Sequence, residues 1–226
     1  MIYKWHIFMR SLCAVGFSAV ALAVVHGVVG HFLKGGAIVS LIPYLAGVIA
    51  AVLVMKLLMA RFPKERGEDE TAPSYPKLAG KGKTVLAASV SLAVLLGMNI
   101  GLYFVSGGGV ARSGQELIVS AVIGVLVKPP LEELLFRYGY MKAMVGKGEM
   151  YLPVAIGFQA ALFALWHKPE SMVFAFFAGV VLAEAASVCY DGTEAGYKRG
   201  FACAVTVHAL NNLILYVVEA VVGVIK

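Results

Sequence analysis

The sequence predicts an all-α fold, a polytopic membrane helix bundle with about seven transmembrane helices, or eight if the fourth divides. Three observations predict it. Of the 226 residues 60% are hydrophobic and the mean hydropathy is +0.84, where a soluble domain is nearer half apolar. Only 14% are charged, against about a quarter in a typical soluble domain, too little polar surface to wet a globule. The apolar residues also fall in long runs, and about 20 such residues cross the hydrocarbon core of a bilayer.

The runs lie near 8–32, 37–60, 84–106, 115–146, 151–168, 170–190 and 200–224. The first follows Lys4 and Arg10 as a signal peptide would, but the stretch Leu12 to Val29 is long and no A-x-A site follows it. It reads as a retained first membrane helix. Between the second and third runs, 61–83 (RFPKERGEDETAPSYPKLAGKGK) has mixed charge, three prolines and no apolar periodicity. It reads as a loop, not a domain. Its basic residues Arg61, Lys64, Arg66, Lys77, Lys81 and Lys83 assign it to the cytoplasm by the positive-inside rule. Gly107-Gly108-Gly109 reads as a flexible turn. The fourth run is too long for one straight span and is broken by Pro129-Pro130, so it is one kinked helix or two pieces. Proline frees a backbone carbonyl, which membrane helices tolerate where protein or cavity water satisfies it. With seven spans the N-terminus is inside and the C-terminus outside. Arg137, Lys142, Lys147, Lys198 and Arg199 then fall at inside ends, and the outside loops keep Lys34, Arg112 and Lys168. The expected organisation is one membrane domain, 1–226, with N-terminal helices and the cytoplasmic loop over 1–110 and core helices over 111–226.

The net charge of +6 is explained by these loops, and no nucleic-acid-binding motif accompanies it. Cys13, Cys189 and Cys203 form no C-x-x-C pair and sit in or beside apolar runs, so they read as small hydrophobes, not a disulfide framework.

Several residues do not belong in lipid without a reason. One charged side chain at mid-bilayer costs about 2.5–3.5 kcal/mol, and Glu132, Glu133 and Arg137 lie within six residues of each other. Unpaired, they would cost on the order of 8–10 kcal/mol. Glu133 and Arg137 are four apart, so they share a helix face and can pair. Glu132 is turned about 100° away and has no such partner along the chain. The bland alternative is an interfacial helix end with its charges among headgroups. Phe163-Ala-Leu-Trp166-His167 closes the fifth run with a histidine, which alone is as readily structural. Val207-His208-Ala-Leu-Asn211-Asn212 puts His208 and Asn212 on one face of the last run, where interhelical hydrogen bonding is the bland account. Together they offer a carboxylate, two imidazoles and an amide on helices that can face one core. Carboxylate plus imidazole is equipment for taking a proton from water, and N–H donors can stabilise an oxyanion.

Glu132-Glu133-x-x-x-Arg137, Phe163-x-x-x-His167 and His208-x-x-x-Asn212, in this order on successive membrane helices, resemble the CPBP family. These are the CAAX proteases and bacteriocin-processing enzymes, also called the Abi family, related to the type II CAAX prenyl endopeptidases. The resemblance covers about residues 115–217 and implies an intramembrane glutamate endopeptidase. It implies that Glu132 activates the attacking water with help from His167. It assigns His208 and Asn212 to the oxyanion hole, and Glu133 and Arg137, with Phe136 and Phe163 beside them, to support. A metal-dependent reading also exists for the family. The H-E-x-x-H spacing of zinc proteases is absent, and the expectation is a site with no metal and no cofactor. Two departures stand out: Tyr138 follows the motif arginine where Gly is frequent, and F-x-x-G-x-x-x-G appears as Phe176-Phe-Ala-Gly179-Val-Val-Leu-Ala183. Both bear on the substrate groove more than on the centre.

The implied partners are the lipid bilayer and a peptide or protein substrate, lipidated in the CAAX case, with no nucleic acid. The implied location is a bacterial or archaeal cell membrane. Segments for a rhomboid-like serine (G-x-S-G), a presenilin-like aspartate (G-x-G-D) or a site-2-type metalloprotease are absent. The competing class is a non-catalytic membrane protein: an immunity or scaffold protein, or a proton-coupled transporter using Glu132.

Overall fold

A computed structural model describes residues 2–33, 37–61, 81–105, 114–145, 152–191 and 193–225. The loop 62–80 and Gly107–Gly109 lie outside the described residues. Among those described, seven helical runs and no strand are present. They are α1 (Ile2–Phe32), α2 (Ala37–Arg61), α3 (Lys81–Val105), α4 (114–145), α5 (Leu152–Leu165), α6 (Met172–Ser187, entered through a turn of 3-10 helix at Pro169–Ser171) and α7 (Glu194–Ile225). The fold is the all-α polytopic bundle that the apolar runs predict. Its outward faces carry Phe17, Ile49, Leu53, Val85, Val173 and Val217, all more than half exposed, a surface suited to lipid.

The fourth span, expected as one kinked helix or two pieces, is a single continuous helix with wider π turns at Ile123–Val127 and Leu134–Tyr140 on either side of Lys128–Glu133. One span differs from expectation. The fifth is a helix of 14 residues, about 21 Å long, too short to cross a bilayer core of about 30 Å. Pro169 stops it, because the residue before a proline avoids helical ψ, and Lys168 is extended at φ −64° and ψ 148°. Among the described residues five helices are long and apolar enough to cross by themselves: Cys13–Phe32, Leu41–Leu58, Gly82–Leu102, Pro169–Ser187 and Glu194–Val222.

Close approaches set the register. A Cβ at Gly47 would lie 2.9 Å from the Leu22 carbonyl oxygen, so the α1–α2 hairpin needs glycine there. Ser18 on α1 donates to the Ala51 carbonyl (2.7 Å) and lies 3.1 Å from the Tyr140 hydroxyl, which joins that hairpin to α4. α4 and α7 run antiparallel, with Gly124 against Asn212, Glu133 against His208, and Tyr138 and Lys142 on Glu194. α3 and α7 run parallel: Asn99 bonds Asn211, and Thr84 near the start of α3 meets Cys189 just before α7.

Candidate active site

Pro129 decides the local structure of α4. The Lys128 N–H bonds to the Ile123 carbonyl, five residues back. The Gly124 carbonyl would take its equivalent bond from residue 129, but proline has no N–H. That orphan oxygen accepts a hydrogen bond from Asn212 Nδ2 at 2.8 Å. A Cβ at Gly124 would lie 2.5 Å from the Tyr216 hydroxyl, so a side chain there would displace the Tyr216 ring.

One turn on, Glu133 and Arg137 form the ion pair that their spacing predicts. Arg137 Nε lies 3.1 Å from Glu133 Oε2 and Nη1 lies 3.3 Å from Oε1, with both side chains fully buried. Nη2 donates to the Gly179 carbonyl at 3.1 Å, and Gln159 Nε2 donates to the same oxygen at 3.0 Å. Gly179 can present that carbonyl because α5 and α6 nearly touch: a Cβ there would lie 3.1 Å from Ala160 Cα. The guanidinium carbon lies 4.5 Å from the centre of the Phe163 ring, which also meets Phe136 edge-on at 5.1 Å and His167 at 4.6 Å.

His208 joins the two carboxylates. Its Nδ1 is 2.8 Å from Glu133 Oε1, and its Nε2 is 3.8 Å from Glu132 Oε2. A carboxylate only accepts, so Nδ1 carries the proton that Glu133 receives. Glu132, left without a partner by position on α4, has one from α2: the Tyr44 hydroxyl donates to its Oε1 at 2.8 Å. Tyr44 is buried and packs on Trp166 at 5.5 Å between ring centres. His167 is held by its own helix end, with Nδ1 2.7 Å from the Phe163 carbonyl. That oxygen is one of the orphans of a helix C-terminus. It can only accept, so Nδ1 is the protonated nitrogen and Nε2 keeps its lone pair.

Glu132, His167, His208 and Asn212 line one cavity of about 380 Å³, with Phe163, Lys128, Asn99 and Asn211 also in its wall. Glu133, Arg137 and Phe136 stand outside that wall as buried support. Sequence reasoning missed Tyr44, Asn99 and Lys128 as parts of the site. Asn99 Nδ2 donates to Asn211 Oδ1 at 3.0 Å, and Asn211 Nδ2 donates to Asn212 Oδ1 at 3.2 Å, a chain of amides along the wall. An asparagine inside an apolar run is a signal that finds Asn99; nothing distinguishes Tyr44 from an interfacial tyrosine. Among the described residues no three His, Cys, Asp or Glu side chains are arranged to hold a metal ion. The carboxylates are instead taken up by Tyr44, Arg137 and His208.

Residues 114–214 match the family described as type II CAAX prenyl endopeptidase Rce1-like. No curated protein and no solved structure matches the chain.

Proposed function

The chain carries a Rce1-like domain of the type II CAAX prenyl endopeptidase kind over residues 114–214, and from that premise we propose that it is an intramembrane endopeptidase using a water activated by Glu132 and His167. One observation carries the reading. Glu132, held by Tyr44, lines the same cavity as His167, His208 and Asn212. A carboxylate in a cavity wall, with one oxygen bonded to a phenol and the other 3.8 Å from an imidazole, is placed to act as a base.

The water oxygen attacks the peptide carbonyl carbon as its proton passes to Glu132. His167 Nε2, with its lone pair free, accepts a hydrogen bond from that water and orients it. The carbonyl π electrons move to oxygen, which becomes an oxyanion. Asn212 spends one N–H on Gly124 and keeps a second for the oxyanion. His208 in its doubly protonated form donates Nε2–H to the oxyanion, while Glu133, already paired with Arg137, accepts from Nδ1–H and fixes the ring. Collapse of the tetrahedral intermediate expels the amine, which takes the proton from Glu132. Arg137 neutralises Glu133 and fixes its orientation. The chain works as one membrane domain over 1–226, because Tyr44 comes from α2.

The test is Glu132→Gln, which keeps the size and the Tyr44 contact but removes the base. Loss of a general base lowers rate about 10²–10⁴-fold. Membrane proteomes of cells carrying the wild-type and Glu132→Gln proteins are compared by mapping C-termini. Termini present only with the wild type are expected; identical sets overturn the reading.

A further inference from the structure

We infer that Asn99 and Asn211 are positioning residues for the oxyanion donor: a row of three amides with one polarity sets which way Asn212 points its N–H groups. The inference rests on the protease reading above, and it brings in Asn99 on α3, outside the family-matched residues 114–214.

The two ends of a carboxamide, oxygen and NH₂, have nearly the same size, so packing does not choose between its two orientations; hydrogen bonds do. For an oxyanion hole the choice decides function. Asn212 turned over would present an oxygen to the developing negative charge and repel it.

Both ends of the row are backbone carbonyls, which only accept. Asn99 Nδ2 donates to the Leu95 carbonyl at 2.9 Å, one turn back on α3, and to Asn211 Oδ1 at 3.0 Å. Both of its N–H groups are then engaged. Asn211 Nδ2 donates to Asn212 Oδ1 at 3.2 Å, and Asn212 Nδ2 donates to the Gly124 carbonyl at 2.8 Å. Turning any single amide over sets oxygen against oxygen. Asn99 would face the Leu95 carbonyl, Asn211 would face Asn212 Oδ1, and Asn212 would face the Gly124 carbonyl. Turning all three together leaves the clashes at Leu95 and Gly124. The row therefore has one satisfied arrangement, and it leaves the second N–H of Asn212 for the cavity whose wall the three amides share. Asn211 is buried, where an unpaired amide is costly, so the polarity set at Asn99 is passed on to Asn212. An interhelical bond between α3 and α7 needs only some donor and some acceptor; the direction of the row matters only to what Asn212 presents.

The test uses the full-length protein in detergent and a peptide spanning a C-terminus that depends on Glu132 in the proteome comparison. Asn99→Asp keeps the shape and replaces the donor by an acceptor. Asn211 then turns to donate to it, and Asn212 is drawn off the Gly124 carbonyl. Loss of an oxyanion donor lowers kcat about 10²–10³-fold, the range expected for Asn212→Ala, and Asn99→Asp is expected to lower it about tenfold or more with KM little changed. In the Asn212→Ala protein Asn99→Asp is expected to lower kcat no further, because the row has no donor left to set. Effects that multiply instead overturn the inference, since independent sites behave that way. The side-chain ¹⁵N–H signals of Asn212, identified by their loss in Asn212→Ala, read the row without turnover. Asn99→Leu is expected to shift them, and unmoved signals overturn the inference. Glu132→Gln separates the two readings. Cleavage at the wild-type rate in that protein, or proteomes with no Glu132-dependent terminus, removes the protease and leaves the amide signals to decide the row. Cleavage lost with Glu132→Gln while the Asn99 and Asn212 effects multiply removes only the row.

Discussion

The Phe163 ring lies against the Arg137 guanidinium on one side and meets His167 and His208 on others, at 4.5, 4.6 and 6.3 Å. It excludes water from the ion pair, and its own carbonyl sets the tautomer of His167. Removing one partner of a buried pair leaves an unpaired charge and costs about 3–5 kcal/mol. Arg137→Met is therefore expected to lower thermal stability in detergent sharply; a melting temperature within a degree of wild type would contradict the clamp. Tyr44 makes a separate point. Its hydroxyl touches Glu132 and is absent from the cavity wall, so it acts as a positioning residue. A hydrogen bond to a charged group contributes about 1.5–3 kcal/mol. Tyr44→Phe is expected to reduce kcat by about ten- to a hundredfold, with KM little changed, and an unchanged kcat would remove Tyr44 from the site. The Glu133–Arg137 pair was legible in the sequence because both residues lie on one helix four positions apart. The Tyr44–Glu132 bond was not, because 88 residues separate its partners.

At the scale of elements, the π turns of α4 convert a sequence fault into a connection between helices. The paired prolines announce a freed carbonyl; the helix packing identifies Asn212 as what satisfies it. The α5–α6 contact depends on Gly179, and small-to-large changes in packed positions cost about 1–3 kcal/mol. Gly179→Val is expected to lower both stability and activity, since it displaces the carbonyl shared by Arg137 and Gln159; full activity would show that the carbonyl is dispensable. α7 begins with Thr193, whose hydroxyl accepts from the Gly196 N–H at 3.0 Å. Its N–H and hydroxyl donate to Asp191 Oδ1 at 2.9 and 2.6 Å, and Arg199 pairs with Asp191 Oδ2 at 2.9 Å. The Thr193 hydroxyl first, and then its backbone N–H and Arg199, hold the Asp191 carboxyl below the usual range. A lowered carboxyl stabilises above its unfolded value and loses that contribution as pH falls through the lowered one. Thr193→Ala is expected to cost about 1 kcal/mol at neutral pH, read by thermal unfolding, with the deficit shrinking under acid conditions.

At the scale of the whole molecule, the α1–α2 hairpin lies outside the family-matched segment, yet it carries Tyr44 and the Ser18 link to Tyr140. Ser18→Val leaves the Ala51 carbonyl and the Tyr140 hydroxyl without that partner, at about 1–3 kcal/mol for a buried unsatisfied group. It is expected to lower stability and activity together, because the hairpin would lose its register on α4. A stability loss with full activity would show that α4 holds its position without the hairpin.

What the sequence by itself determined was the solvent, most of the helices and the Glu133–Arg137 pairing within one of them. Mean composition distinguishes lipid from water, and 3.6 residues per turn set which side chains share a face. The sequence also marked Glu132, His167, His208 and Asn212 as residues needing partners. Only the tertiary structure decided which partners: Tyr44 for Glu132, Glu133 for His208, Gly124 for Asn212. The reason is physical. In lipid the apolar pattern gives little preference among helix pairings, and register is set by small residues and interhelical hydrogen bonds. At Gly47, Gly124 and Gly179 those contacts come from residues far apart in the chain.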